Sequence, residues 1–239
     1  MVAFLLAACM SVETQPSAPD GADFVDELAD SDGDTYLDAW ELAEGTDPHD
    51  YDSRIYTGFW PYQPDKDALD APDLDQAQAE VDELLGRFVA MDQHGDFVDV
   101  YDFAGHDKPV VLNLCAQWCG PCHELSMWLL NEDADLTVYE GWLGSDIPEA
   151  VASGEVLWIE VITEGDEGQL PDPEDLERWY EAYPNEKVPL LGDDGRVSEA
   201  YLRYGWPSIW LLDGDLRIQA RPTREDHYEA LFQLQDELH

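Results

Sequence analysis

The apolar run Val110-Val111-Leu112-Asn113-Leu114 passes directly into Cys115-Ala116-Gln117-Trp118-Cys119-Gly120-Pro121-Cys122-His123. That succession constrains the chain more than any other part of it. A short apolar run closed by a turn signal reads as a buried strand. The Cys-x-x-Cys turn then opens a helix expected over 120–130, so two thiols stand at a helix start. Backbone N–H groups and the helix dipole favour the thiolate there, and the thiolate is the nucleophile. A strand, a dithiol turn and a helix in this order predict a redox site on an α/β scaffold.

Composition narrows the partners. The 239 residues carry 55 acidic against 11 basic side chains, a formal net charge of −44. Such a field repels nucleic acid and anionic membrane faces and favours cations. High-salt adaptation and simple solubility are readings of the same acidity. Nine tryptophans supply ample material for a core.

The start of the chain, Met1-Val2-Ala3-Phe4-Leu5-Leu6-Ala7-Ala8-Cys9, is apolar but shorter than the roughly 20 residues that span a bilayer. Leu6-Ala7-Ala8-Cys9 resembles a bacterial lipobox, without the usual basic residues before it. The resemblance implies a signal-like segment over 1–8, lipid attachment at Cys9, a tether over 9–29 and an extracytoplasmic address. Met10 after the cysteine resembles lipoproteins sorted to the outer membrane.

A second motif lies in the acidic region. Asp30, Asp32, Asp34, Asp38 and Glu41 occupy positions one, three, five, nine and twelve of a calcium loop, and Tyr36 offers its carbonyl at position seven. Leu37 supplies the apolar anchor, and Thr35 stands where glycine usually makes the sharp turn. Ca²⁺ takes six to eight hard oxygens, which clustered carboxylates provide. With Asp47, Asp50 and Asp52 following, the stretch over 30–52 resembles the calcium repeats of thrombospondin type 3. A helix is expected over 38–43 and another over 22–28. A Pro- and Asp-rich linker is expected over 53–73.

The main domain is then expected over 74–239. Apolar spacing predicts a leading helix over 74–85. A hairpin follows, turning at Gly95, then the 110–114 strand. A second buried strand is expected over 155–163, an amphipathic helix over 173–183, a hairpin joining 208–212 to 216–220, and a closing helix over 224–238. The order predicts an α/β fold, a mixed central sheet with helices on both faces, preceded by a small acidic calcium-binding module.

From about residue 88 onward this order resembles thioredoxin-like proteins, specifically membrane-tethered oxidoreductases of the TlpA type and their redoxin relatives. The matching pieces are Val110-Val111-Leu112-Asn113-Leu114, Trp118-Cys119-Gly120-Pro121-Cys122 and Tyr204-Gly205-Trp206-Pro207-Ser208. Residues 131–154 do not align and read as an insertion. The resemblance implies a cis proline at Pro207 that presents backbone to a peptide substrate. It implies Cys119 as attacking thiolate, Cys122 as resolving thiol, and Trp118 and Trp206 as apolar contacts for substrate. Asn113 stands where cytosolic thioredoxins carry a buried Asp. The implied activity is reduction of protein disulfides, with no cofactor for the redox chemistry and a membrane-side electron donor.

Two other readings use the same residues. Cys115, Cys119, Cys122 and His123, with the distant His227, could form a copper or zinc site on the same fold. A thiol ending a buried strand packs well, however, and Cys115 is expected in the core. The other reading is a calcium-dependent surface scaffold without enzymatic activity.

Overall fold

The computed structural model describes residues 29–130 and 137–239. Cys9, the tether and the helix expected over 22–28 lie outside them. Among the described residues no helix is long and apolar enough to cross a membrane.

Among the described residues, seven strands form one sheet: β1 (Val89–Met91), β2 (Phe97–Asp99), β3 (Val110–Ala116), β4 (Leu157–Glu164), β5 (Leu190–Gly192), β6 (Ser208–Leu212) and β7 (Ile218–Ala220). Their spatial order is β2-β1-β5-β4-β3-β6-β7. β3 pairs parallel with β4, β4 parallel with β5, and the outer neighbours antiparallel. Every residue of β3 is buried, which is why its sequence reads as a continuous apolar run.

Among the described residues, seven α-helices accompany the sheet: α1 (Asp38–Glu44), α2 (Gly120–Leu129), α3 (Val138–Leu143), α4 (Asp146–Ser153), α5 (Pro173–Ala182), α6 (Arg196–Tyr201) and α7 (Glu229–Glu237). Strand alternation divides the core in two. Val111, Trp158, Ile209 and Leu211 pack against α2, α3, α4 and α7. Val110, Leu112, Leu114, Ile159 and Val161 face the other way, toward α6 and the N-terminal third of the described chain. The 131–154 insertion therefore supplies α3 and α4 to the α2 face.

Three expectations need correction. The 74–85 segment is not a helix. Only a single 3₁₀ turn forms at Leu74–Gln76, and the chain then turns over 80–83 and bridges Arg217 through Leu84. Asp82 N–H donates to the Ile218 carbonyl, Leu85 N–H to Leu216 and Ile218 N–H to Glu83. The segment satisfies its backbone on an otherwise open sheet edge, which outweighs its helical spacing. Next, the expected linker over 53–73 is packed: Tyr56, Trp60 and Tyr62 are buried in the main core, together with Tyr36 of the acidic loop. Finally, the closing helix starts five residues late. The Asp226 carboxylate accepts from Tyr228 N–H, and the Asp226 N–H donates to Thr223, forming a turn before α7.

The sequence reading also contains neither β5 nor α6. β5 is three residues long, too short for any periodicity. α6 has a cap signal in Asp193, whose carboxylate accepts from the N–H groups of Val197 and Ser198.

Candidate active site and acidic loop

β3 ends at Ala116 and α2 begins at Gly120, so the chain makes its turn over Gln117, Trp118 and Cys119. Cys119 is the N-cap of α2. Its Sγ accepts from Cys122 N–H at 3.2 Å, and Pro121 occupies the first turn, where its missing N–H costs nothing. Cys119 and Cys122 are joined in a disulfide with Cα atoms 5.3 Å apart. Cys119 is 3% exposed and Cys122 0%, so Cys119 is the residue nearer solvent.

Aromatic side chains surround the pair. The rings of Trp118 and Trp206 meet edge to face at 4.9 Å. The Trp118 indole N–H donates to Glu164 Oε2 at 2.9 Å, and that of Trp206 to Thr163 Oγ1 at 2.8 Å. Thr163 in turn donates to the Cys115 carbonyl, so both indoles are fixed from the end of β4. Trp118 is half exposed and lies at the rim. The Trp206–Pro207 peptide is cis. Trp206 packs on the apolar cluster that holds Cys119 and Cys122. The elements thus bring Trp118, Cys119, Cys122, Trp206 and Pro207 to one end of the sheet.

His123 is more engaged than its position after the motif predicts. Its ring stacks on Trp179 at 4.6 Å, Nε2 lies 2.6 Å from the Gln117 carbonyl, and Nδ1 lies 3.0 Å from the Tyr183 hydroxyl. Cys115 is fully buried, and burial pushes its thiol well above the ordinary range. Asn113 Nδ2 donates to its sulfur at 3.0 Å. Such a thiol is a packing element. Among the described residues, Cys115, Cys119, Cys122 and His123 do not converge as a metal-ligand group.

This sheet order, with a Cys-x-x-Cys disulfide capping the helix after the central strand and a cis proline before β6, is distinctive. The fold is thioredoxin-like. No family model matches the chain, and no curated protein matches it. Solved structures do resemble it. The exposed lipoprotein thioredoxin of Streptococcus pneumoniae is 20% identical over 64% of this chain and 99% of its own, with a TM-score of 0.44. The thioredoxin domain of a thiol-disulfide oxidoreductase from Bacteroides vulgatus is 19% identical over 68% and 100%, at 0.45. A putative thiol:disulfide interchange protein DsbE from Chlorobium tepidum is 20% identical over 72% and 99%, at 0.44. The fold assignment itself stands on the strand order, the disulfide and the cis proline of this chain.

One feature of the thioredoxin-like core is missing from the sequence expectations. Glu160 is buried in the middle of β4, and its Oε1 accepts from Ser126 Oγ of α2 at 3.0 Å. Burial pushes its carboxyl up to about 7. One acidic residue inside the apolar stretch from Val156 to Ile162 is the signal that marks it.

The acidic loop folds on its own backbone. Asp30 accepts from the N–H groups of Gly33 and Thr35, Asp32 from Asp34 N–H, and Asp34 from Tyr36 N–H. These turns draw ligand oxygens of Asp30, Asp32 and Asp34 within 4.8 Å of one another. Thr35 adopts φ 83°, so the backbone makes the sharp turn without glycine. Glu41 on α1 is fully buried, and one oxygen each of Asp32, Asp34 and Glu41 is buried without a hydrogen-bond partner. Burial, then the carboxylates of Asp34, Asp32 and Asp38, push Glu41 up to about 7. Buried, unpartnered, mutually repelling oxygens are what a hard cation satisfies, so the donor set fits Ca²⁺. Asp38 differs from the others: its two oxygens accept from Ser31 N–H and Ser31 Oγ at 2.7 and 2.6 Å. Tyr36 directs its ring into the core, where its hydroxyl donates to the Trp60 carbonyl at 3.0 Å.

Proposed function

We propose that this chain is a thiol–disulfide oxidoreductase that reduces protein disulfides through Cys119 and Cys122. The observation that carries the reading is the disulfide itself. It caps a helix N-terminus, with Trp206 packed on the cluster that holds both cysteines, Trp118 edge to face against Trp206, and Cys122 fully enclosed.

The chemistry follows from that asymmetry. In the reduced chain, Cys119 is the thiolate, favoured by the helix N-terminus. It attacks a substrate disulfide, and one substrate sulfur leaves with the electron pair. Cys122 then attacks Cys119 Sγ, the mixed disulfide breaks, and the second substrate sulfur leaves as a thiolate. Two electrons pass from the dithiol to the substrate. Trp118 and Trp206 hold the substrate by apolar contact, and the backbone at Pro207 receives it in extended form. No cofactor takes part.

Work outside the cytoplasm fits this reading, since a lasting disulfide belongs to oxidising compartments. Lipid attachment at Cys9 would place the domain at a membrane, where a membrane-side donor returns electrons. Ca²⁺ held by Asp30, Asp32, Asp34, Glu41 and the Tyr36 carbonyl would fasten the acidic loop to the body, with Asp38 shaping the loop through Ser31.

A trapping experiment tests the redox assignment. Reduced C122S chain, mixed with a disulfide-bonded peptide, should accumulate a mixed disulfide at Cys119 by intact mass. C119S should accumulate none. Equal trapping by the two variants would reverse the assignment, and no trapping in either would favour the calcium-dependent scaffold.

A further inference from the structure

Resting on the dithiol reading above, we infer that Ser126 and Glu160 form a proton relay for Cys122, the thiol that closes the disulfide. Nothing in the motif itself supplies a base to Cys122, and Asn113 on the strand before it does not ionise.

The placement is specific. Asn113 and Glu160 are register partners in the parallel β3–β4 ladder, and both are buried. By strand alternation they share the face that Val111 and Trp158 present to α2. The next pair along that face is Cys115 and Ile162, which pack in one cluster with Cys119 and Cys122. The carboxyl thus lies one side-chain row from Cys115, which packs in one cluster with the disulfide. Ser126 follows Cys122 by four residues, one turn along the same face of α2. Its hydroxyl donates to Glu160 Oε1, which leaves its lone pairs free to accept.

One further observation supports a proton on Glu160. Asn113 Oδ1 is buried without a donor, and Asn113 is among the polar neighbours of the carboxyl. A protonated Glu160 supplies the donor that this oxygen lacks. A narrow pocket of about 20 Å³, room for about one water, is bordered by Ser126, Glu160, Trp179 and Tyr183. It is a route for the proton to leave.

The groups facing the carboxyl are few. β3 contributes Asn113 and Cys115, α2 contributes Ser126, and α5 with its following turn contributes Trp179 and Tyr183. Tyr183 is raised by burial and by Glu160, and it bonds His123. With Glu160 itself pushed up to about 7, the relay operates near neutral pH.

The closing step balances as follows. Cys122 passes its thiol proton to Ser126 Oγ while the Ser126 hydroxyl proton moves to Glu160 Oε1. The Cys122 sulfur bonds to Cys119 Sγ, and the bond from Cys119 to the substrate sulfur breaks. The substrate leaves as a thiolate and takes a proton from solvent. Glu160 releases its proton through the pocket. Glu160 acts through Ser126, so it is a positioning residue.

The test is single-turnover oxidation of the reduced chain by glutathione disulfide, quenched with an alkylating agent and resolved by mass across pH 5–9. In the wild-type chain the closing step should accelerate through an inflection near pH 7. E160Q and S126A should slow closing by about a hundredfold and lose that inflection, while the first attack at Cys119 keeps its rate. Unchanged closing rates and pH profiles in both variants would overturn the relay and leave the dithiol reading standing. A wild-type chain that reacts with no disulfide would overturn both. Should either variant fail to fold, ¹³C-carboxyl glutamate spectra of the wild-type chain decide. Glu41 also titrates near 7, so the carboxyl near 7 that persists in E41Q is Glu160; its midpoint should shift between the disulfide and dithiol forms, and a midpoint the same in both forms would overturn the relay.

Discussion

Asn113 and Glu160 stand opposite each other across the parallel ladder of β3 and β4, two buried polar side chains in an otherwise apolar face beneath α2. A buried carboxyl costs least when it is neutral. Its folded-state proton affinity is therefore raised, from the ordinary 4.5 to about 7.

That shift predicts a pH dependence of stability. The native chain holds the Glu160 proton more tightly than the unfolded chain, so this residue's contribution is fully present below about pH 4.5. It is lost as pH rises toward 7 and is flat above. The full effect has an upper limit of about 3 kcal/mol. Urea unfolding at a series of pH values should show a larger loss in the wild-type chain than in E160Q. The difference between the two isolates Glu160 from Glu41, which titrates in the same window.

Calcium should stabilise the whole domain, because Tyr36 joins the loop to the main core through Trp60, and the Trp60 indole N–H donates to Asp92 at 2.6 Å beside β1. At a hundredfold excess over Kd the gain is about 2.7 kcal/mol. For a domain of this size that raises Tm by about 5–10 °C. E41Q should lose most of the shift, D38N less, since Asp38 holds Ser31. Calorimetry with calcium and with a chelator measures this; equal Tm values would remove the ion from the account.

Thr35 pays for its left-handed backbone at φ 83° with strain that glycine does not carry. Thr35→Gly should stabilise the chain by about 0.5–1 kcal/mol, net of the greater unfolded-state entropy of glycine. Denaturant midpoints at equal slope check it. A loss of stability would mean that the Thr35 side chain makes a contribution larger than the strain.

How much of this was legible depends on the signal each feature leaves. The strand over 110–114, the Cys-x-x-Cys turn and the capped helix at Pro173 announce themselves through buried runs and punctuating residues, and α5 indeed carries a reciprocal cap between Asp172 and Asp175. The 74–85 segment misleads because Leu74 and Leu85 do reach the core, yet the hydrogen bonds go to β7, and long-range pairing leaves no local trace. Tyr56, Trp60 and Tyr62 sit among Pro and Asp residues that read as a linker, although three aromatics so close together need burial. Glu160 becomes visible only when β4 is laid beside β3.

Trp118 and Trp206 should discriminate among substrates. Their edge-to-face pair forms an apolar rim beside Cys119, and Trp118 is held by Glu164. Replacing Trp118 with Ala removes contact with a large substrate but leaves the thiol chemistry intact. We expect kcat/KM for a protein disulfide to fall about tenfold, mostly through KM, with little change for glutathione disulfide. Equal losses for the two would assign Trp118 to the chemistry instead.

The central claim is that Cys119 and Cys122 are an exchanging dithiol pair while Cys115 is inert. A redox titration of the chain, with free thiols alkylated and intact mass read at each potential, tests it most directly. A single two-electron transition confined to Cys119 and Cys122, with Cys115 unmodified until unfolding, is the predicted result, and its midpoint should fall in the range of about −270 to −120 mV spanned by such dithiols. A pair that never closes, or a transition that consumes Cys115, would contradict the account.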